Sequence, residues 1–199
     1  MPYGKALVDT VESSGNLAIT GNTAITGNVT VSGALTSSSS TINLGTAVST
    51  GSTNSVVLST TIPSWAKRIT VMVNGISTSS TNGQYFVRLG TNGSTLSTGY
   101  NSVGISTSST VTTTAYTTGI YMGSTGTTAA AILRGKMYID LMDSANNLWQ
   151  GTTTSYRSGD ADVYHSGFGQ IALSGVLNTV ELVVTAGNFD AGTVSISYE

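Results

Sequence analysis

An all-β fold is predicted: an N-terminal extended segment and short trimeric β-stem, followed by a C-terminal antiparallel β-sandwich that is jelly-roll-like. Three observations predict it. From Ser55 onward, short runs of alternating apolar and polar residues are separated by clusters of Gly, Asn and Ser. No segment sustains a helical period. Near the start, a hexapeptide recurs as Gly15-Asn-Leu-Ala-Ile-Thr20, Gly21-Asn-Thr-Ala-Ile-Thr26 and Gly27-Asn-Val-Thr-Val-Ser32, and Gly33 keeps the phase.

In chain order, residues 1–14 form a distinct head holding Lys5, Asp9 and Glu12, the only charges before Lys67. In the repeat, the third and fifth positions of each unit share one face of an extended strand, and each Gly-Asn pair supplies a turn. Burying Leu17, Ile19, Ile25, Val29, Val31 and Leu35 would contribute roughly 1.5–3 kcal/mol each. Ordering the backbone costs about 1–2 kcal/mol for every residue fixed, so the segment cannot fold alone. Three chains winding round a common axis would bury the same seam three times, and residues 15–36 read as a trimeric stem. The alternative is a Ser/Thr/Gly tether, which the strict phasing of the glycines argues against. Residues 37–54 read as a polar linker.

Residues 55–199 read as the sandwich. Its expected strands are Val56 to Ile62, Arg68 to Gly75, Tyr85 to Gly90, Val111 to Met122, Leu133 to Met142, Asn147 to Gly151, Val163 to Ser174, Thr179 to Thr185 and Thr193 to Tyr198. A hairpin is expected round Asp143-Ser-Ala-Asn146. Many short antiparallel strands at this spacing imply a sandwich.

Composition narrows the function. Charged residues are 8% of the 199, far below the usual quarter or so. Ser and Thr together supply about a third, and residues 13–66 and 89–133 carry no formal charge. Mean hydropathy of +0.15 argues for a folded chain rather than a disordered one. Net charge is −2 and the basic residues do not cluster beyond Lys67-Arg68, which argues against nucleic acid as a partner. No apolar run approaches a membrane span, so no membrane insertion is expected. The opening Met-Pro-Tyr-Gly-Lys-Ala-Leu-Val-Asp lacks the apolar core of a secretory signal. There is no cysteine, hence neither a disulfide nor a thiolate site.

A family resemblance lies in the sandwich. Ile62-Pro-Ser-Trp-Ala-Lys-Arg-Ile-Thr-Val-Met-Val-Asn-Gly-Ile-Ser-Thr78 and Asn188-Phe-Asp-Ala-Gly-Thr-Val-Ser-Ile-Ser-Tyr-Glu199 resemble segments of bacteriophage tail-fibre and virion structural proteins. Thr98-Gly-Tyr100, Gly135-Lys-Met-Tyr138, Leu148-Trp149 and Leu173-Ser-Gly175 fall between them in the expected order. The opening Gly4-Lys-Ala-Leu-Val-Asp-Thr-Val-Glu12 is similar to the starts of small phage structural proteins. The chain departs from the family in its penultimate strand, where Asn178-Thr-Val-Glu-Leu-Val-Val184 stands in place of basic residues. The resemblance implies a virion protein whose β-sandwich serves host recognition.

Catalytic chemistry finds little material. His165 is the single histidine, so any Ser-His-Asp triad or His-based metal site rests on it alone. No Gly-x-Ser-x-Gly elbow is present. Asp160-Ala-Asp162-Val-Tyr-His165 is the best polar constellation, and it reads as a loop entering a strand rather than a metal site. Asp140 and Asp143 point to opposite faces of a strand end, unlike a glycosidase pair. No catalytic residue, metal or cofactor is expected, and the chain is not expected to be an enzyme.

Ligand binding is better supplied. Nine tyrosines and two tryptophans against three phenylalanines favour amphipathic rings that stack on sugars. Trp149, Tyr156 and Tyr164 are the first candidates for a receptor groove, followed by Tyr100 and Tyr116. Trp149 filling the core is the competing reading, and Trp65 reads as packing. Tyr3, Lys5, Leu7 and Asp9 are candidates for docking on other virion proteins. The expected function is therefore a homotrimeric tail fibre in the virion whose C-terminal domain meets host surface polysaccharide. The alternative is a trimeric capsid decoration protein or head fibre.

Overall fold

The computed structural model describes residues 42–128 and 130–199. The expected stem residues Leu17, Ile19, Ile25, Val29, Val31 and Leu35 lie outside the described residues, as do Tyr3, Lys5, Leu7 and Asp9 of the head.

Among the described residues fourteen strands form two antiparallel sheets, one of nine strands and one of five. The strands are β1 (Asn43–Leu44), β2 (Val48–Ser49), β3 (Ser55–Ser59), β4 (Arg68–Thr78), β5 (Gln84–Thr91), β6 (Ser94–Thr95) and β7 (Asn101–Thr107). They continue as β8 (Val111–Tyr116), β9 (Ile120–Ser124), β10 (Ile132–Asp143), β11 (Leu148–Ser158), β12 (Val163–Ala172), β13 (Thr179–Val184) and β14 (Phe189–Tyr198). The larger sheet runs β1-β14-β4-β10-β11-β12-β7-β8, with β2 also on β14. The smaller runs β3-β13-β5, with β6 and β9 both on the far side of β5. The chain is thus a β-sandwich. Its pairings nest in sequence, β4 with β14, β5 with β13 and β7 with β12.

Period-two alternation explains the core. β4 sends Ile69, Val71, Val73 and Ile76 inward, β10 sends Leu133, Met137 and Ile139, and β5 adds Tyr85, Val87 and Leu89 from the opposite sheet. β4 and β14 break register together at Gly75 (φ +65°) and Gly192 (φ +97°), where left-handed backbone makes a paired bulge.

Away from this apolar end the interior changes character. β7, β11 and β12 turn Gly104, Gly151, Gly167 and Gly169 inward together with Ser102, Thr153 and Ser155. These small residues let β9 lie close against the larger sheet. Hydroxyls then satisfy its backbone: Thr153 donates to the Tyr121 carbonyl (2.8 Å), Ser155 donates to that of Met122 (2.6 Å), and Ser102 Oγ accepts from the Tyr121 N–H (3.1 Å). At the same end Arg157 reaches Asp160 (3.1 Å), Ser124 (2.6 Å) and the Thr125 carbonyl (3.0 Å).

Several expectations change. The run Val111 to Met122 is two strands in different sheets, β8 and β9, because Thr117-Thr118-Gly119 crosses the sandwich. β11 continues to Ser158, well past the expected end at Gly151. β7 was not expected, since Asn101-Ser-Val-Gly-Ile-Ser-Thr107 offers small residues to one face and only two aliphatics to the other. The described part of the expected linker, 42–54, carries β1 and β2, which lie along β14 and are fastened to it by the Gly45 N–H on the Ile196 carbonyl (2.7 Å) and Thr50 Oγ1 on the Ala191 carbonyl (2.6 Å).

The close approach is testable at Gly167, where an added Cβ would stand 2.6 Å from the Tyr121 carbonyl oxygen. Gly167→Ala is expected to cost about 1–3 kcal/mol by overpacking. Thermal unfolding checks it, and an unchanged Tm would mean that β9 is held less tightly than its hydrogen bonds imply.

Candidate functional site

The alternation that fills the core also decorates the outer face of the larger sheet. β10 turns Arg134, Lys136 and Tyr138 outward, β11 turns Thr152, Thr154 and Tyr156, and β12 turns Tyr164 and Phe168. Register aligns these residues in rows. One row is Tyr138, Thr152, Phe168 and Val103; the next is Lys136, Thr154, Ser166 and Ile105; the third is Arg134, Tyr156, Tyr164 and Thr107. Short threonines on the central strand, flanked by long side chains on both neighbours, make a trough along β11. Depressions of about 550 and 280 Å³ meet at Thr152, and the one of about 280 Å³ meets another of about 420 Å³ at Thr154.

The trough is rich in exposed rings. Tyr138, Tyr156, Tyr164 and Phe168 are each between 38% and 48% exposed, and Ile105 is 37% exposed. A sheet face covered by nothing would ordinarily be polar, so aromatic residues here mark a surface suited to a partner. Lys136 Nζ stands 4.9 Å from the centroid of the Tyr138 ring. Tyr156 donates its hydroxyl to Asp162 (2.6 Å), and that hydrogen bond holds the phenol above its ordinary pKa. At one end Arg68 pairs with Asp140 (2.6 Å) and Glu199 (3.4 Å).

The expected receptor residues divide. Tyr156 and Tyr164 stand directly opposite one another on β11 and β12, both exposed. Trp149, 3% exposed, belongs to the core, because β11 turns odd-numbered residues inward. Its Nε1–H is the one buried side-chain polar atom without a partner among the described residues. Tyr100 is also a core residue: its hydroxyl accepts from the Leu89 N–H (2.7 Å), and burial pushes its pKa up to about 12. Tyr116 stacks on Tyr121 (5.1 Å) and meets the edge of Phe86 (5.0 Å), which occupies its ring face. The burial of Trp149 and Tyr100 corrects the expectation of a surface role for these two, whereas Tyr116 is half-buried with its ring packed on its neighbours. Trp65 is half exposed and tilts against Tyr198. Tyr138, Phe168, Thr152, Thr154, Arg134 and Lys136 were not singled out in sequence. Gly167 and Gly169 flanking Phe168 were the available signal, since inward glycines put the residue between them outward.

The polar constellation comes apart. Asp160 is held by Arg157 and by the backbone N–H groups of Thr127 (2.7 Å) and Ala161 (2.7 Å). Burial works to raise its pKa, but those N–H groups and the guanidinium outweigh it and hold the carboxyl below its ordinary range. Asp162 faces Tyr156, while His165 is wholly buried between the sheets. His165 Nδ1 lies 2.9 Å from Ser106 Oγ and 3.1 Å from the Tyr121 hydroxyl. No cluster of three potential metal ligands occurs among the described residues, and none of their helices is long and apolar enough to cross a membrane.

Comparison of the chain with family models, with curated proteins and with solved structures finds no match. Function is therefore argued from the site itself.

Burial, aided by the nearby Arg157 charge, lowers the His165 pKa from 6.5 to about 4. The unfolded chain binds this proton more readily than the native one, so stability rises with pH between the two values. Above pH 6.5 the native state is unpenalised; as pH falls toward about 4 it loses on the order of 3 kcal/mol. Urea unfolding of the wild type and His165→Asn across this window checks it, with a flatter profile expected for the variant.

Proposed function

We propose that this chain is a virion structural protein, a trimeric tail fibre that binds host surface polysaccharide through the outer face of its larger sheet. The observation that carries the reading is the trough along β11, left uncovered by the other described residues, floored by threonine hydroxyls and walled by exposed aromatic rings. Aromatic faces stack on the C–H faces of sugar rings, and hydroxyls at the floor hydrogen-bond their edges. The role is binding rather than catalysis: Asp140 is engaged by Arg68, Asp160 by Arg157, and His165 lies sealed in the interior.

Three further points support the reading. The nested strand pairing fits a jelly-roll-like head. The phased glycines at 15, 21, 27 and 33 fit a threefold stem. Three weak sites on one particle gain avidity by effective concentration, which suits a repetitive polymer.

Light scattering is expected to give three times the chain mass of 20.3 kDa. Labelled full-length protein applied to a panel of bacterial surface polysaccharides, neutral and charged, is expected to be retained. Thr154→Trp, which fills the junction of the depressions of about 420 and 280 Å³, is expected to weaken retention about tenfold or more while leaving Tm unchanged. Undiminished retention by the filled variant would count against the trough.

A further inference from the structure

Charge is scarce in this chain, so its placement on the trough is informative. Among the described residues three ion pairs form, two by Arg68 and one by Arg157. Arg134 and Lys136, both exposed and successive outward residues of β10, have no carboxylate within ion-pair distance among the described residues. Their neighbours across β11 and β12 are the tyrosine pair Tyr156 and Tyr164, and Thr154 with Ser166. Together with Met72 they bound the depression of about 420 Å³. Two carboxylates come near. Asp162 accepts the Tyr156 hydroxyl, and Asp140, further along β10, is taken by Arg68. The rim of this depression therefore carries more positive than negative charge on a protein whose net charge is −2.

We propose that this depression takes an acidic sugar, a hexuronate within a surface polysaccharide, and so confers selectivity for anionic over neutral polymers. The inference rests on the polysaccharide reading above. A hexuronate has a flat C–H face for Tyr156 and Tyr164, ring hydroxyls for Thr154, and one carboxylate at its edge for the cations. The guanidinium of Arg134 is a planar fork matched to a carboxylate; one arm lies at 3.5 Å from Ser158 Oγ, and the other N–H groups remain for a ligand. Lys136, poised over Tyr138, adds a second charge without a fixed geometry. The local excess also attracts the polymer before contact, an effect that salt screens.

The test uses the full-length chain and immobilised polygalacturonate, polymannuronate and hyaluronate, each native and methyl-esterified, beside neutral dextran. At least one native polyuronate is expected to retain the protein about tenfold more strongly than its ester, with the difference shrinking between about 50 and 500 mM NaCl. Arg134→Gln/Lys136→Gln should remove the preference for the acid form, and Tyr156→Ala/Tyr164→Ala should weaken retention of acid and ester alike. Circular dichroism melting confirms that these surface variants fold. Equal retention of acid and ester, or an acid preference that survives loss of both cations, overturns the inference and leaves the polysaccharide reading standing. Retention of no polymer, dextran and the wider surface-polysaccharide panel included, overturns both.

Discussion

Close contact between β9 and the larger sheet is the constraint on which the rest depends. A β-strand laid face-on against another sheet normally sits a side-chain layer away, at about 10 Å. Here the layer is thinned by inward glycines at 104, 151, 167 and 169, and what remains is hydroxyl. Thr153, Ser155 and Ser102 satisfy polar backbone atoms that burial would otherwise leave unpaired. The Ser- and Thr-rich composition is therefore structural at this end of the sandwich as well as solubilising. His165 and Tyr121 close the same network with Ser106, and the Arg157–Asp160 pair seals it at the turn between β11 and β12.

A polar interior of this kind frees aromatic residues for use elsewhere. Tyr85, Phe86 and Phe189 fill the core, but β11 and β12 need no large ring inward beyond Trp149. Their tyrosines and Phe168 stand outward instead, on a face that the smaller sheet does not reach. The Arg68, Asp140 and Glu199 cluster marks one end of that face, and exposed ion pairs of this sort add little stability. They occupy the Arg68 charge at that end, which leaves Arg134 and Lys136 as the cations of the trough without an ion partner among the described residues.

Much of the fold was legible wherever alternation was apolar. β4, β5, β10, β13 and β14 announce themselves through Ile69-Thr-Val-Met-Val73, Tyr85-Phe-Val-Arg-Leu89 and their like. What escaped was alternation between small and polar residues, because Thr152-Thr-Thr-Ser155 shows no hydropathic period even though Thr153 is buried and Thr154 is exposed. The same blindness hid the trough. Tyr156 and Tyr164 were legible as amphipathic rings in adjoining hairpin segments, whereas Trp149 was assigned by chemistry and placed by parity. A tryptophan on an odd-numbered position of β11 faces the core whatever its talents for binding sugar.

That parity sets how such a surface can diverge. Along β11 every residue that faces the trough is flanked by residues that face the core, over eleven positions. Exchanging Thr152, Thr154 or Tyr156 alters what the groove touches and leaves Gly151, Thr153, Ser155 and Arg157 undisturbed. Inserting or deleting a single residue does the reverse, turning hydroxyl clamps to solvent and tyrosines to the interior along the remaining strand. Lineages carrying this architecture can thus explore new ligands residue by residue at fixed strand length, with changes in length confined to the turns.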